Sequence, residues 1–172
     1  QMEARGLAEE FKGITTNGEV QDGLFPLTAS GVDVAPVRNA AQEFIATLNE
    51  AQRAATLYPV DDIEWRKWGN QSIYHRQGIS LAEMDEMQRT AAWKLLDAAL
   101  STKGLTLARD IMKLNHTLGE LINNNFVEYG DDKYWFTFMG EPSATEPWGF
   151  QLDGHHLVIN FTILPVCFNQ RF

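Results

Sequence analysis

The hydrophobic periodicity of this chain changes near Gly130, and this change restricts the possible folds more than any other sequence feature. Before Gly130, apolar residues recur at the spacing of three and four that is typical of amphipathic helices. After it, apolar and polar residues alternate, as they do in strands that bury one face. Helices followed by antiparallel strands predict an α+β fold, with about three helices packed on a small antiparallel sheet.

Three segments have the helical period. The first helix is predicted over residues 37–56, and the second from a capping box formed by Ser80 and Glu83 to about Leu100. The third has apolar residues spaced alternately by four and three: Leu107, Ile111, Leu114, Leu118 and Leu121. This leucine stripe is therefore predicted to be the buried face of the third helix.

Two segments have the strand period. Residues 134–139 predict one strand, and residues 148–164 predict a hairpin that turns at Asp153 and Gly154, a dipeptide typical of two-residue turns. Eight residues are then expected to share one apolar face: Trp148, Phe150, Leu152, His155, Leu157, Ile159, Phe161 and Ile163. The opposite face is predicted to be largely polar.

The organisation along the chain is expected to be simple. Residues 1–36 are rich in glycine and proline breaks and predict a surface arm, residues 37–164 one domain, and residues 165–172 a short tail. The first residues lack an apolar signal segment, and Gln1 before Met2 looks like the remnant of a tag cleavage site. We therefore expect a cytoplasmic protein, unless the native protein has an export signal that this sequence lacks.

The charge of the chain bears on its partners. There are 14 Lys and Arg residues against 23 Asp and Glu residues, which gives a net charge of −9. Nucleic acids and anionic membranes select basic patches, so neither is an expected partner. A small-molecule ligand is expected instead. The single Cys167 cannot form an internal disulfide.

The adjacent His155 and His156 are the first candidate functional residues, since neighbours on a strand point to opposite faces. His156 is expected between Gln151 and Asn160, whose amides could hold its imidazole in one tautomer as a general base or a metal ligand. The alternative is a polar face turned to solvent. His155 is either functional or a buried imidazole bonded to a carbonyl. If the two histidines bind a metal, zinc is the expected ion.

Other side chains could complete such a site. Glu146 offers a catalytic carboxylate, as does Glu141, in a loop rich in glycine and proline. Arg66, Arg76 and Trp148 are the candidate substrate-binding residues, because arginine grips anions and tryptophan excludes water. The alternative for the charged segment 61–70 is a connector whose charges pair with one another.

Two weaker candidates stand apart from the histidine pair. His116 and Glu120 lie four residues apart on the third helix and could share a metal, although a solvated helix face is the favoured interpretation. Ser143 could be a nucleophile, but the glycines of a hydrolase elbow are missing around it.

Several motifs carry a family resemblance. They are Gly140-Glu141-Pro142-Ser143, Glu146-Pro147-Trp148-Gly149-Phe150-Gln151-Leu152-Asp153-Gly154-His155-His156-Leu157, Asn160-Phe161, Phe11-Lys12-Gly13-Ile14-Thr15-Thr16, Glu64-Trp65-Arg66-Lys67-Trp68, Arg76-Gln77-Gly78-Ile79 and residues 111–121. Over residues 11–164 the chain resembles a bacterial and fungal family known as a domain of unknown function, number thirty-five hundred in its series. Members are about twice this long, so the resemblance implies an N-terminal half that either folds alone with an open strand edge or recruits a second copy to cover it. A homodimer is the expected state.

Two functions follow as expectations, because the family has no assigned reaction to transfer. One is a hydrolase of small ester or phosphoester substrates with a histidine-centred, metal-assisted or metal-free site. The alternative is a noncatalytic binding or scaffold module in which the histidines are structural.

Overall fold

A computed structural model describes residues 6–9, 19 and 30–165 of the chain. The chain forms two compact units, Gln1–Val32 and Asp33–Phe172, and all the elements below belong to the second. Most of the predicted N-terminal arm, together with residues 166–172 of the predicted tail, lies outside the described residues. Cys167 lies outside them too.

Four α-helices form the helical layer: α1 (Ala35–Thr47), α2 (Glu50–Thr56), α3 (Glu86–Ala99) and α4 (Thr102–Leu121). The predicted first helix is therefore two helices, because the side chain of Asn49 accepts from the Gln52 amide and starts α2. The predicted start of the second helix at Ser80 is also wrong. Asp85 and Gln88 form the capping box of α3, whereas Glu83 bonds the Ser80 amide in a turn before the helix.

Five strands form one sheet: β1 (Leu57–Tyr58), β2 (Ile79–Ser80), β3 (Tyr134–Met139), β4 (Trp148–Gly154) and β5 (Leu157–Ile163). The strand order is β1-β3-β4-β5, and β2 also pairs with β3. The β1–β3 pair is parallel and the others are antiparallel. The chain thus has the predicted α+β class, with a mostly antiparallel sheet and β5 at an edge.

The hairpin turns at His155 and His156, so the predicted turn at Asp153 and Gly154 is wrong. Gly154 pairs with Leu157, and a Cβ on Gly154 would lie 2.1 Å from a ring carbon of Tyr134. This glycine therefore permits a close approach within the sheet. His156 adopts the left-handed conformation at φ 62°, which histidine tolerates better than most residues. Because the turn moves by two residues, the apolar residues of both strands still share one face.

The apolar face of the sheet packs against the helices. Phe44 of α1 lies with its ring centroid 5.3 Å from that of Phe136 and 5.9 Å from that of Phe138. The other face of β4 is also buried, because the segment 60–78 covers it. Gly149 admits the ring of Trp65, and Gln151 donates to the Trp65 carbonyl at 2.9 Å. The predicted polar face is thus exposed mainly on β5.

The buried face of α4 differs from the predicted one. Its buried residues are Leu105, Ala108, Met112, Asn115 and Gly119, not the leucine stripe. The helix turns this side inward because Gly119 has no side chain and lets the loop after α4 approach. The Tyr129 carbonyl and the Phe126 ring of that loop lie directly against Gly119. Of the leucine stripe, Leu107, Leu114 and Leu121 are left exposed, and Ile111 and Leu118 are half-buried. Among the described residues, no helix is both long and apolar enough to cross a membrane.

Candidate functional site

The turn residues His155 and His156 lie where the β4–β5 hairpin meets α4 and the segment 69–76, and this place is called the histidine turn below. The hydroxyl of Tyr134 donates to the His155 carbonyl at 3.1 Å, and the His156 amide donates to the Asn70 carbonyl at 3.2 Å. The backbone of the turn is thus bonded to two different parts of the fold. Its side chains project from a fixed frame.

The ring of His155 is oriented by the buried amide of Asn115 on α4. Asn115 Nδ2 donates to the Gly130 carbonyl at 2.8 Å, so its Oδ1 faces the imidazole. His155 Nδ1 lies 2.8 Å from that oxygen, and an oxygen can only accept. His155 therefore has its proton on Nδ1, which leaves Nε2 with a lone pair able to accept a proton or bind a ligand.

The surroundings of His155 favour the neutral imidazole. Burial is the main cause that lowers its pKa below the ordinary 6.5, and the nearby His156 and Arg76 lower it further. The Glu128 carboxylate acts in the opposite direction. The ring centroid of His155 lies 4.0 Å from that of His156 and 5.6 Å from that of Tyr129. At neutral pH this half-buried imidazole is a base.

Glu128 connects the loop after α4 to the segment before β2. The Ser72 hydroxyl donates to its carboxylate at 2.7 Å, and Asn125 Nδ2 donates at 3.2 Å. The Ser72 bond is the main cause that lowers the pKa of Glu128. The carboxylate thus remains ionised near His155, where it could stabilise an imidazolium formed during a reaction.

Arg76 and Asp153 form a buried ion pair beneath the turn, with Arg76 Nε 3.3 Å from Asp153 Oδ2. Burial raises the pKa of Asp153 to about 6, although Arg76 and the Gly69 amide oppose the rise. Asp153 Oδ1 has no hydrogen-bond partner among the described residues. The Arg76 terminal nitrogens donate to four carbonyl oxygens, those of Gly69, Gln71, Ser72 and Tyr74.

Arg76 is consequently occupied in holding the segment 69–74 together, and its predicted role in anion binding loses its basis. The same guanidinium also lies over the ring of Trp135, with Arg76 Cζ 5.6 Å from the ring centroid. Arg66 lies on a short 3₁₀ helix, Ile63–Arg66, in the covering segment. Trp148 is fully buried at the opposite end of β4, where its Nε1 donates to the Ser143 carbonyl at 3.1 Å.

The structure does not bring the predicted catalytic residues together. His156 is exposed in the turn, whereas Gln151 and Asn160 pair with each other in the middle of the hairpin. Glu146 lies in the loop before β4, which places it about 20 Å from the turn for a strand of this length. The predicted position of His156 between two amides is wrong. His155 has the oriented imidazole instead.

The zinc site predicted at the histidine pair has no third ligand among the described residues. The two rings face each other, and the described residues contain no group of three His, Cys, Asp or Glu side chains that could hold a metal ion. His116 packs on Phe126, with Glu120 and Asp131 at 3.9 and 3.6 Å, on the surface of α4. The Ser143 hydroxyl accepts from the Thr145 and Glu146 amides, as in a turn.

Asn115 is the residue of the candidate site that the sequence interpretation missed. It lies on the same helix face as Ala108, Met112 and Gly119, at the spacing of a buried stripe. A lone amide among such residues needs a polar partner inside the fold. That pattern could have marked Asn115, but only the fold reveals that its partner is His155, forty residues away.

Two surface grooves lie elsewhere on the domain. One of about 650 Å³ runs between α1 and α3, and one of about 600 Å³ lies beside residues 140–142 and is lined by Arg53, Tyr58 and Glu141. Neither groove includes a histidine.

Comparison with known proteins identifies one family. The sequence profile described as "Protein of unknown function (DUF3500)" matches residues 30–167, which include every helix and strand named above. No curated protein and no solved structure matches the chain.

Proposed function

This chain belongs to the DUF3500 family, and we propose that its histidine turn is a general-base site that hydrolyses small neutral carboxylic esters. One observation supports the proposal: Asn115 binds Nδ1 of His155, which leaves a neutral, half-buried imidazole with its basic Nε2 available. An imidazole oriented by an amide is an arrangement that general-base catalysis uses. His155, and not His156, is the proposed base.

The proposed reaction uses water as the nucleophile. His155 Nε2 takes a proton from water while the water oxygen forms a bond to the ester carbonyl carbon. The bond between that carbon and the alkoxide oxygen then breaks, and the imidazolium returns the proton to the alkoxide. The products are a carboxylic acid and an alcohol. Glu128 stabilises the imidazolium through its charge, because it acts to raise the pKa of His155.

The hydrogen bonds that Arg76 already makes within the fold favour an uncharged substrate. A phosphoester would need a cation at the turn, but the Arg76 donors go to backbone carbonyls and to Asp153. The net charge of −9 adds a general repulsion of anions. Neutral esters are therefore preferred to phosphoesters.

A noncatalytic module is the second candidate, and the bonding of the turn favours it. Each polar contact of the turn also fastens one part of the fold to another: His155 to α4, Tyr134 to the His155 carbonyl, and Asp153 to the segment 69–76. Such a network can serve stability alone.

A hydrolysis screen separates the two candidates. Short-chain neutral esters are assayed with the unmodified protein, with His155→Gln, whose amide can still bond Asn115 but has no basic nitrogen, and with His156→Asn as a control. His156→Asn changes the exposed neighbour and retains a residue that accepts the left-handed conformation. Melting temperatures are recorded for all three.

The proposal predicts ester hydrolysis that falls by about a hundredfold or more in His155→Gln and stays within severalfold in His156→Asn, both proteins being folded. Activity that survives in folded His155→Gln would exclude His155 as the base. If the unmodified protein hydrolyses none of the esters and His155→Gln lowers only the melting temperature, the noncatalytic module is the correct function.

A further inference from the structure

Helix α4 exposes the apolar stripe that its sequence sets apart. Leu107, Leu114 and Leu121 are 57%, 68% and 78% exposed, and the intervening Ile111 and Leu118 are half-buried. The apolar surface continues beyond the helix end, where Val127 is 91% exposed. Exposed leucines are ordinary one at a time, but a contiguous apolar strip marks an interaction surface.

The spacing of the stripe indicates what kind of surface packs on it. Alternating steps of four and three residues have the average period of 3.5 that two helices use when they pack side by side. The fully buried residues of α4 lie on another side of the helix, and of the stripe Ile111 packs against the edge of the core, so Leu107, Leu114 and Leu121 are the members left exposed. A stripe with this period fits a second helix of the same pattern.

The charges point to a second copy of this chain. Copies with a net charge of −9 repel each other over most of their surface. Helix α4 differs, because it has three basic residues and two acidic ones, a net charge of +1. The basic residues are Lys103, Arg109 and Lys113, and the acidic ones are Asp110 and Glu120. The apolar stripe therefore lies on a helix that does not share the net negative charge of the chain.

We propose that the leucine stripe of α4 is a self-association surface, on which two copies pair their α4 helices about a two-fold axis. Such an interface is self-complementary, since each copy presents the same stripe. It differs from the strand edge on which a homodimer was expected from the sequence, because the contact runs through α4 and not through β5. The proposal is independent of the chemistry at the histidine turn.

The size of the stripe sets the strength of the pairing. A helix of 20 residues is about 30 Å long and about 10 Å wide, so the strip covers roughly 300 Å² of each copy. A stable standard interface buries about 800 Å² per partner. Even with the apolar residues beyond the helix end, the dimer is therefore expected to be weak and to dissociate on dilution.

Sedimentation equilibrium over a wide concentration range tests the proposal on the full chain. The unmodified protein is expected to shift from monomer to dimer as concentration rises. Leu114→Glu is expected to weaken the dimer by roughly a hundredfold, because each dimer loses two leucine contacts of about tenfold each. Thr106→Glu is the matched control, since it adds the same charge at an exposed position of α4 outside the stripe. Its dimer is expected to persist.

Each other outcome overturns the proposal. A monomer at every concentration would mean that the stripe does not pair copies, and a dimer that persists in Leu114→Glu would place the interface elsewhere, such as the edge of β5. If Leu114→Glu lowers the melting temperature of a monomer by several degrees, another segment of the same chain covers the stripe. Intermolecular disulfide formation by Leu114→Cys in a Cys167→Ser background provides an independent measurement, and its failure under oxidising conditions would contradict the pairing.

Discussion

The Asp153 carboxyl allows a quantitative prediction about stability and pH, because burial and the Arg76 ion pair act on it in opposite directions. Burial prevails and raises its pKa from 3.8 to about 6. The folded protein then holds a proton between pH 4 and pH 6 that the unfolded chain releases. Stability from this group is fully present below pH 4 and is lost as pH rises through 6.

The magnitude follows from the shift. A difference of about 2 pKa units corresponds to about 3 kcal/mol of unfolding free energy. In Asp153→Asn the titrating group is gone while a polar side chain of the same shape remains. The free energy of unfolding of the unmodified protein minus that of Asp153→Asn should therefore fall by about 3 kcal/mol between pH 4 and pH 7.

Urea unfolding of both proteins at several pH values across this range measures that difference. The exposed Asp97→Asn is the matched control for the replacement of one carboxylate by an amide. If the unfolding free energy of the unmodified protein minus that of Asp153→Asn rises with pH instead, the reasoning is refuted. Such a rise would mean that Arg76, and not burial, has the larger effect on the pKa of Asp153.

Two further predictions concern the backbone. Gly78→Ala should lower the unfolding free energy by about 2 kcal/mol or more in urea titrations, because φ is +89° and a Cβ would lie 1.9 Å from the Phe136 carbonyl oxygen. Gly31 is the control, since it has a similar φ of +71° and open space around it. An equal loss of unfolding free energy in Gly31→Ala would contradict the steric part of the argument. Asp85→Ala should cost about 1 kcal/mol because it removes the cap of α3, and an equal cost for Asp85→Asn, which retains a capping side chain, would contradict the assignment of the cap.

The fold class and the faces of the hairpin could be predicted from the sequence, because side-chain alternation is a local property. Moving the turn by two residues leaves the faces of the paired strand residues unchanged, although His155, which was expected on the apolar face, lies in the turn. The position of the turn could not be predicted, because Gly154 is needed within the strand, where a side chain would clash with the Tyr134 ring of a neighbouring strand.

The orientation of α4 and the partner of His155 also depend on contacts between residues that are far apart in the sequence. A stripe with a period of 3.5 is equally suited to a core and to a partner helix, so the pattern alone could not decide which face of α4 is buried. The sequence did single out His155, but it could not reveal that Asn115 orients its ring. That contact joins an α-helix to a strand turn forty residues later.

The central claim is that His155 is a neutral base with its proton on Nδ1, and nitrogen-detected NMR of the imidazoles across a pH titration tests it most directly. The account predicts the Nδ1–H tautomer at pH 7, a titration midpoint below 6.5, and loss of this single tautomer in Asn115→Ala. A proton on Nε2 at pH 7, or a midpoint above 6.5, would contradict it.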